Sequence, residues 1–429
     1  MKHSIREIKL STGSQGLLVN VPGSTIVNME FTFLSGYEFV DKSKYEVPHS
    51  VEHMIFGANK YYKNSREFSR EFGLNGALHN AYTDNLLNGY YAETADFEWE
   101  RIMKLFWQGL TTPRFLASEF KTEQETIVEE LSSRLMHYPL TLNIALEQAM
   151  GDDRTLDYQT RLDLLPNIKP RDLHIHYANS HQAPNMRFIV AADLDDKRED
   201  MLKLLERYTN RLPEGERHTI KPMSLIKPDE PIAIIKDVDK LFFALRMASE
   251  GELTERELLA LEFISYTLTG AWDSRIFGKG REKGLLYGIH TVGGNYSGVS
   301  SMTLFGSVIP AKADDLIKFI SSELSKFIRE GMSEDELKSA KQNALGSFQI
   351  RYQTLQHLVN WYSRYFMYDD FYSFTDRSDL IKSITRNDVQ RVVHKIMHND
   401  EWAVGFLGRK THISKAQKHY EAISKVWEH

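Results

Sequence analysis

The chain has 429 residues, 41% of them hydrophobic, enough for roughly two to four domains with well-buried cores. Its net charge of −6, with no basic run carrying interleaved aromatics, excludes a general nucleic-acid binder. The absence of cysteine excludes disulfides, thiolate metal sites and cysteine nucleophiles together, so any metal must be held by His, Asp or Glu.

The first ten residues, from Met1 to Leu10, contain no apolar secretory core, and no run of about 18 apolar residues follows anywhere. This predicts a cytoplasmic protein that does not engage a membrane. Segments 16–21 and 26–34 read as strands. The string His49-Ser-Val-Glu52-His53 comes next. On a helix each residue advances about 100°, so the two imidazoles lie about 40° apart on one face, with Glu52 beside them. Neutral imidazole suits Zn²⁺, and a catalytic zinc takes three protein ligands while leaving a position for water. Glu52 then suits a general base, because zinc lowers the pKa of a bound water toward about 7 and a carboxylate can take the proton as a carbonyl carbon is attacked. The segment thus predicts peptide hydrolysis, and its H-x-x-E-H order is the inverzincin form. Such a string arises by composition in roughly one chain in twenty of this make-up, so a third ligand is required.

Candidates for that ligand lie in 122–135, where Ile127, Val128, Leu131 and Leu135 have helical spacing. Glu123 and Glu130 fall within about 20° of each other around such a helix and face the same way. Periodicity leaves both open, beside the plainer reading of a solvated acidic face. Four of the 12 prolines, at 213, 222, 228 and 231, then mark a polar linker. The expected division is an N-terminal domain over 1–212, a linker over 213–231 and a C-terminal domain over 232–429. Strand-like runs at 232–235 and 241–247, followed by amphipathic periodicity over 253–268 and 314–329, repeat the order of the first half and hint at a duplicated α+β unit. His394 and His398 have i,i+4 spacing but no partner carboxylate. His174 and His176 lie about 200° apart on a helix and read as surface residues. Gly278-Lys-Gly280-Arg281 lacks the register of a phosphate loop. The aromatic run 367–374 reads as core or interface packing.

Glu130 follows His53 by 77 residues, and this spacing resembles the insulinase/pitrilysin family of zinc peptidases, whose distal Glu ligand stands at this distance from H-x-x-E-H. The resemblance implies that His49, His53 and Glu130 hold the metal and that Glu123 supports the site from outside. Residues 33–36, 54–57 and 74–83 also match. The last is similar to the family's G-G-x-x-N-A-x-T segment, with Ala77 at the second Gly, and implies that Asn80, Ala81 and Thr83 lie on an edge strand to which an extended substrate adds. Further on, Pro184-Asn-Met-Arg-Phe-Ile-Val-Ala-Ala-Asp193 resembles the family's N-M-x-x-x-x-x-G-D strand, with Ala192 in place of Gly. Residues 268–287 resemble L-G-G-x-x-S-S-R-L-F-x-x-x-R-E-K-R-G-L-A-Y, which makes Arg281 and Tyr287 the pair that binds substrate and helps stabilise the oxyanion. They stand six positions apart, one fewer than in that pattern.

The resemblance covers nearly the whole chain. It implies an α+β fold of two homologous domains, each a mostly antiparallel sheet backed by helices, with a metal motif in the first only. The expected protein is a zinc endopeptidase with one Zn²⁺ per chain. It takes extended peptides as substrates and works as a homodimer or as a heterodimer with a related subunit. The alternative is a non-catalytic partner subunit of the same fold.

Overall fold

The computed structural model describes residues 2–398 and 401–427. Two compact units emerge, one of Met1–Ser133, Tyr158–Ile220 and Gln349–Phe374, the other of Arg134–Asp157, Lys221–Phe348 and Thr375–His429. The first is built on β1 (Ser4–Lys9), β2 (Gln15–Asn20), β3 (Ile26–Leu34), β4 (Leu78–Thr83), β5 (Leu87–Ala95) and β6 (Met186–Ala192), in the order β1-β2-β6-β3-β5-β4. The second holds β7 (Ile232–Ile235), β8 (Leu241–Glu250), β9 (Ile289–Tyr296), β10 (Val299–Val308) and β11 (Trp402–Gly408), in the order β7-β11-β8-β10-β9. Without β1 the two sheets have the same connectivity. In each, the first and last strands pair in parallel and the other neighbours run antiparallel. The duplication that is faint in the sequence is therefore explicit in the strand order. The charged strand β1, which the hydrophobic pattern does not announce, guards an edge of the first sheet with Arg6, Glu7 and Lys9.

The central strands β3 and β8 are buried on both faces, and their two faces differ. Phe31 packs its ring against Phe106, Trp107 and Phe188 at centroid distances of 5.4, 4.8 and 6.5 Å, while the alternate residues Asn28, Glu30 and Thr32 are buried but polar. Helix Leu355–Phe366 covers this polar face. Ser363 donates to Glu30 Oε1 at 2.7 Å, and Asn28 donates to Gln356 Oε1 at 2.5 Å. Burial holds the Glu30 carboxyl above its usual range despite the bonds that Ser363, Tyr82 and Thr32 donate to it. In the second unit, helix Tyr138–Ala149 covers the corresponding face of β8. Leu142 and Leu146 pack on Ala244, Ala248 and Ala403, and Glu147 pairs with Arg246 at 3.1 Å. A Cβ at Gly405 would stand 2.8 Å from Leu142 Cδ1, so glycine permits this approach.

These two helices correct the contiguous division expected at 212 and 232. Tyr138–Ala149 belongs to the second unit and Leu355–Phe366 to the first, because each covers a sheet face that the other half of the chain leaves open. The surface reading of His176 is also corrected. It is buried on helix Pro170–Ser180, with Nε2 2.9 Å from the Ser35 carbonyl, and burial lowers its pKa to about 4. The aromatic run near 367–374 packs within the first unit, where Phe374 meets Trp361 and Tyr352. Among the described residues no helix is long and apolar enough to cross a membrane.

Candidate metal centre

Helix Val47–Ile55 starts with proline inside its first turn, where the missing N–H costs nothing. Val47, Val51, Met54 and Ile55 turn into the core, which leaves His49, Glu52 and His53 on the remaining arc. Helix Ala117–Leu135 buries Phe120, Ile127 and Leu131 and presents Glu123 and Glu130 beside them. The two helices bring three donors together. His49 Nε2 lies 3.2 Å from His53 Nε2, and Glu130 Oε2 lies 3.3 Å from the first and 3.8 Å from the second. Ligands at ordinary zinc distances on the corners of a tetrahedron stand about 3.4 Å apart, so the three atoms fit around one such ion. His49, His53 and Glu130 are the one such group among the described residues; His394 and His398, with ring centroids 5.2 Å apart, are not joined by a third donor.

The outer atoms of both rings are tied. His49 Nδ1 meets Glu46 Oε2 at 2.9 Å and His53 Nδ1 meets Glu123 Oε2 at 3.0 Å. Assigned from these partners, each Nδ1–H donates to its carboxylate and each Nε2 presents a lone pair inward. Glu46 is buried and also accepts from Arg161 Nε, whose guanidinium reaches the Tyr37 hydroxyl at 2.7 Å. Burial opposes its charge, but His49 and Arg161 outweigh burial and hold the Glu46 carboxyl below its usual range. Burial likewise opposes protonation of His53, yet Glu123 and Glu130 raise its pKa to about 9, and Glu130 and Glu46 raise that of His49. Without a cation, the anions draw protons onto the rings. The same field suits a divalent ion.

Glu52 stands at the rim, Oε2 4.0 Å from His49 Nε2, and accepts from the Thr83 hydroxyl at 2.8 Å. Asn88 Nδ2 donates to Thr83 at 2.6 Å, and Ser35 donates to Asn88 Oδ1 at 2.7 Å. This chain of bonds runs from β5 through the edge strand β4 to the carboxylate. Asn80 and Ala81 lie on the same strand, and the Ala81 N–H is capped by the Asn80 side chain at 2.9 Å. Sequence reasoning missed Glu46, Arg161 and Asn88. Glu46 carried a signal, since it precedes His49 by three positions, one helical turn.

Arg281, on helix Phe277–Glu282, and Tyr287 belong to the second unit. Gly284 lies between them with a φ of 63°, a conformation that suits glycine. The Arg281 guanidinium lies 4.8 Å from the Trp272 ring centroid and 5.4 Å from that of Tyr287, so the pair remains together, with Tyr287 83% exposed.

Residues 35–161 match the family model described as insulinase (peptidase family M16), and 167–344 match the one described as peptidase M16 inactive domain. An uncharacterized zinc protease of Rickettsia felis is 23% identical over 353 residues, 80% of this chain and 82% of that protein. A Helicobacter pylori relative named non-peptidase homolog YmxG is 22% identical over 277 residues, 63% of each. The crystal structure of a protease from Helicobacter pylori superposes with a TM-score of 0.81 at 18% identity, over 95% of this chain and 100% of that one. With Glu46, His49, Glu52, His53, Glu123 and Glu130 all inside the first matched segment, the chain belongs to the insulinase family, peptidase family M16.

Proposed function

We propose that this chain is a zinc-dependent endopeptidase that hydrolyses extended or unstructured peptides. One Zn²⁺ is held by His49, His53 and Glu130. The carrying observation is the convergence of His49 Nε2, His53 Nε2 and Glu130 Oε2 at tetrahedral separations, with the Glu52 carboxylate at the rim. When bound, zinc supplies a Lewis acid that polarises the scissile carbonyl and makes water acidic near neutral pH. Glu52 accepts the proton of the attacking water and returns it to the leaving amine. Thr83 fixes the rotation of that carboxylate, and Asn88 fixes Thr83. Glu123 and Glu46 keep the two imidazoles in the ligating tautomer.

An extended peptide adds to β4 at Asn80, Ala81 and Thr83, and backbone bonding of this kind demands little of the peptide's sequence. Arg281 and Tyr287 bind substrate and donate to the developing oxyanion. The second reading is a non-catalytic partner subunit, favoured by the name of the Helicobacter pylori relative. Cleavage of an unstructured peptide by wild type and Glu52→Gln separates the two. Glu52→Gln is expected to keep its zinc and to lose about 10² to 10⁴ in rate. Cleavage by the variant at the wild-type rate removes Glu52 as base, and zinc-loaded wild type that cleaves nothing favours the second reading.

A further inference from the structure

Because the two sheets share one connectivity, β3, β4 and β5 correspond to β8, β9 and β10, and the exchanged helices correspond as well. A cavity opens at this place in each unit. In the first unit it has a volume of about 630 Å³ and is lined by Glu30, Asp84 and Glu93 with one cation, Arg364. In the second it measures about 520 Å³, and the charged or basic side chains on it are Lys240, His290 and Lys312; among the described residues no Asp or Glu lines it. The cavity of the first unit is thus mostly acidic and that of the second basic, so the charge is set by the side chains and not by the shared strand order.

We infer that the cavity beside helix Tyr138–Ala149 binds a carboxylate carried on an apolar stem, as at the C-terminus of a peptide or on an acidic side chain. Its walls are apolar, formed by Phe242, Leu285, Phe305 and Ile309, which suits the stem. Its basic groups suit the anion. Lys312 Nζ donates to the Gly284 carbonyl at 2.5 Å, which pins the shortened loop that carries Tyr287 and leaves two further donors on the ammonium. No carboxylate lies within ion-pair distance of Lys240, His290 or Lys312 among the described residues. Point-charge donors, two lysines and a histidine, thus sit among apolar walls, and a carboxylate on an apolar stem complements both. This assignment is independent of hydrolysis at the metal centre.

The test is fluorescence anisotropy with labelled unstructured peptides that differ only at the end: a free-acid Leu terminus, the same peptide as amide, and an amide whose last residue is Glu. The full chain carrying Glu52→Gln keeps them intact. The free acid is expected to bind about three- to ten-fold tighter than the Leu amide, as two or three exposed charge pairs allow, and the preference should fade at high salt. Recovery with the Glu amide assigns an acidic side chain as a source, and no recovery assigns the terminus. Lys240→Gln combined with His290→Gln should abolish the preference, with thermal melting as the check on folding. Equal binding of all three peptides overturns the inference. So does a preference that survives in the double variant, since the carboxylate is then captured elsewhere. Should the double variant not fold, a preference that survives high salt in the parent chain is equally contrary.

Discussion

The two carboxylates that hold the imidazoles are not equivalent. Glu46 is fully buried and shared with Arg161, whereas Glu123 keeps 28% of its side chain in solvent. Water can replace Glu123 at His53 more readily than it can replace Glu46 at His49. Glu46→Gln is therefore expected to weaken zinc binding by about 10- to 100-fold, more than Glu123→Gln, and to lower the melting temperature because Arg161 loses its buried anion. Competition titration against a zinc chelator measures this, and an unchanged affinity would show that His49 is oriented by packing alone. At this scale the sequence was informative where function rests on helical spacing. His49, His53, Glu123 and Glu130 sit one or two turns apart on two helices and meet as that spacing demands. Arg161 and Asn88 were illegible because each arrives from a different element, and only the fold brings them to Glu46 and Thr83.

Strand β4 is an edge, paired with β5 alone in the sheet order. The Ala81 N–H is bonded to the Asn80 side chain and so lies outside the ladder with β5, where an added strand would find it. Ala81→Pro removes that donor without breaking a sheet bond, and proline is tolerated at such an edge. The expected outcome is retained zinc and a rise in KM for unstructured peptides, with kcat/KM down on the order of ten-fold, near one lost hydrogen bond. Unchanged kinetics would show that substrate does not add along β4. The edge strand was legible through its Asn80-Ala81-Tyr-Thr83 segment and the strand after it. The exchange of helices Tyr138–Ala149 and Leu355–Phe366 was not, because amphipathic periodicity shows that a helix has a buried face but not which sheet receives it.

Across the whole molecule, the repeated strand order shows that one α+β unit has been used twice, while among the described residues the group of donors able to hold a metal lies in the first copy. The helix that follows β8, Glu255–Ser265, has no histidine where the first copy places two. We propose that the chain is dimeric in solution, and light scattering that finds a fully active monomer at micromolar concentration would contradict this. The duplication was only hinted at by sequence, since the shared feature is strand connectivity and the side chains have diverged, as Glu30 on β3 and Arg246 on β8 illustrate. The proposed hydrolysis depends on a cation at His49, His53 and Glu130. Elemental analysis of protein purified with zinc present tests this most directly: the prediction is one zinc per wild-type chain and near none in Glu130→Gln or His53→Ala, and a wild-type chain without zinc, or variants that hold it fully, would contradict the account.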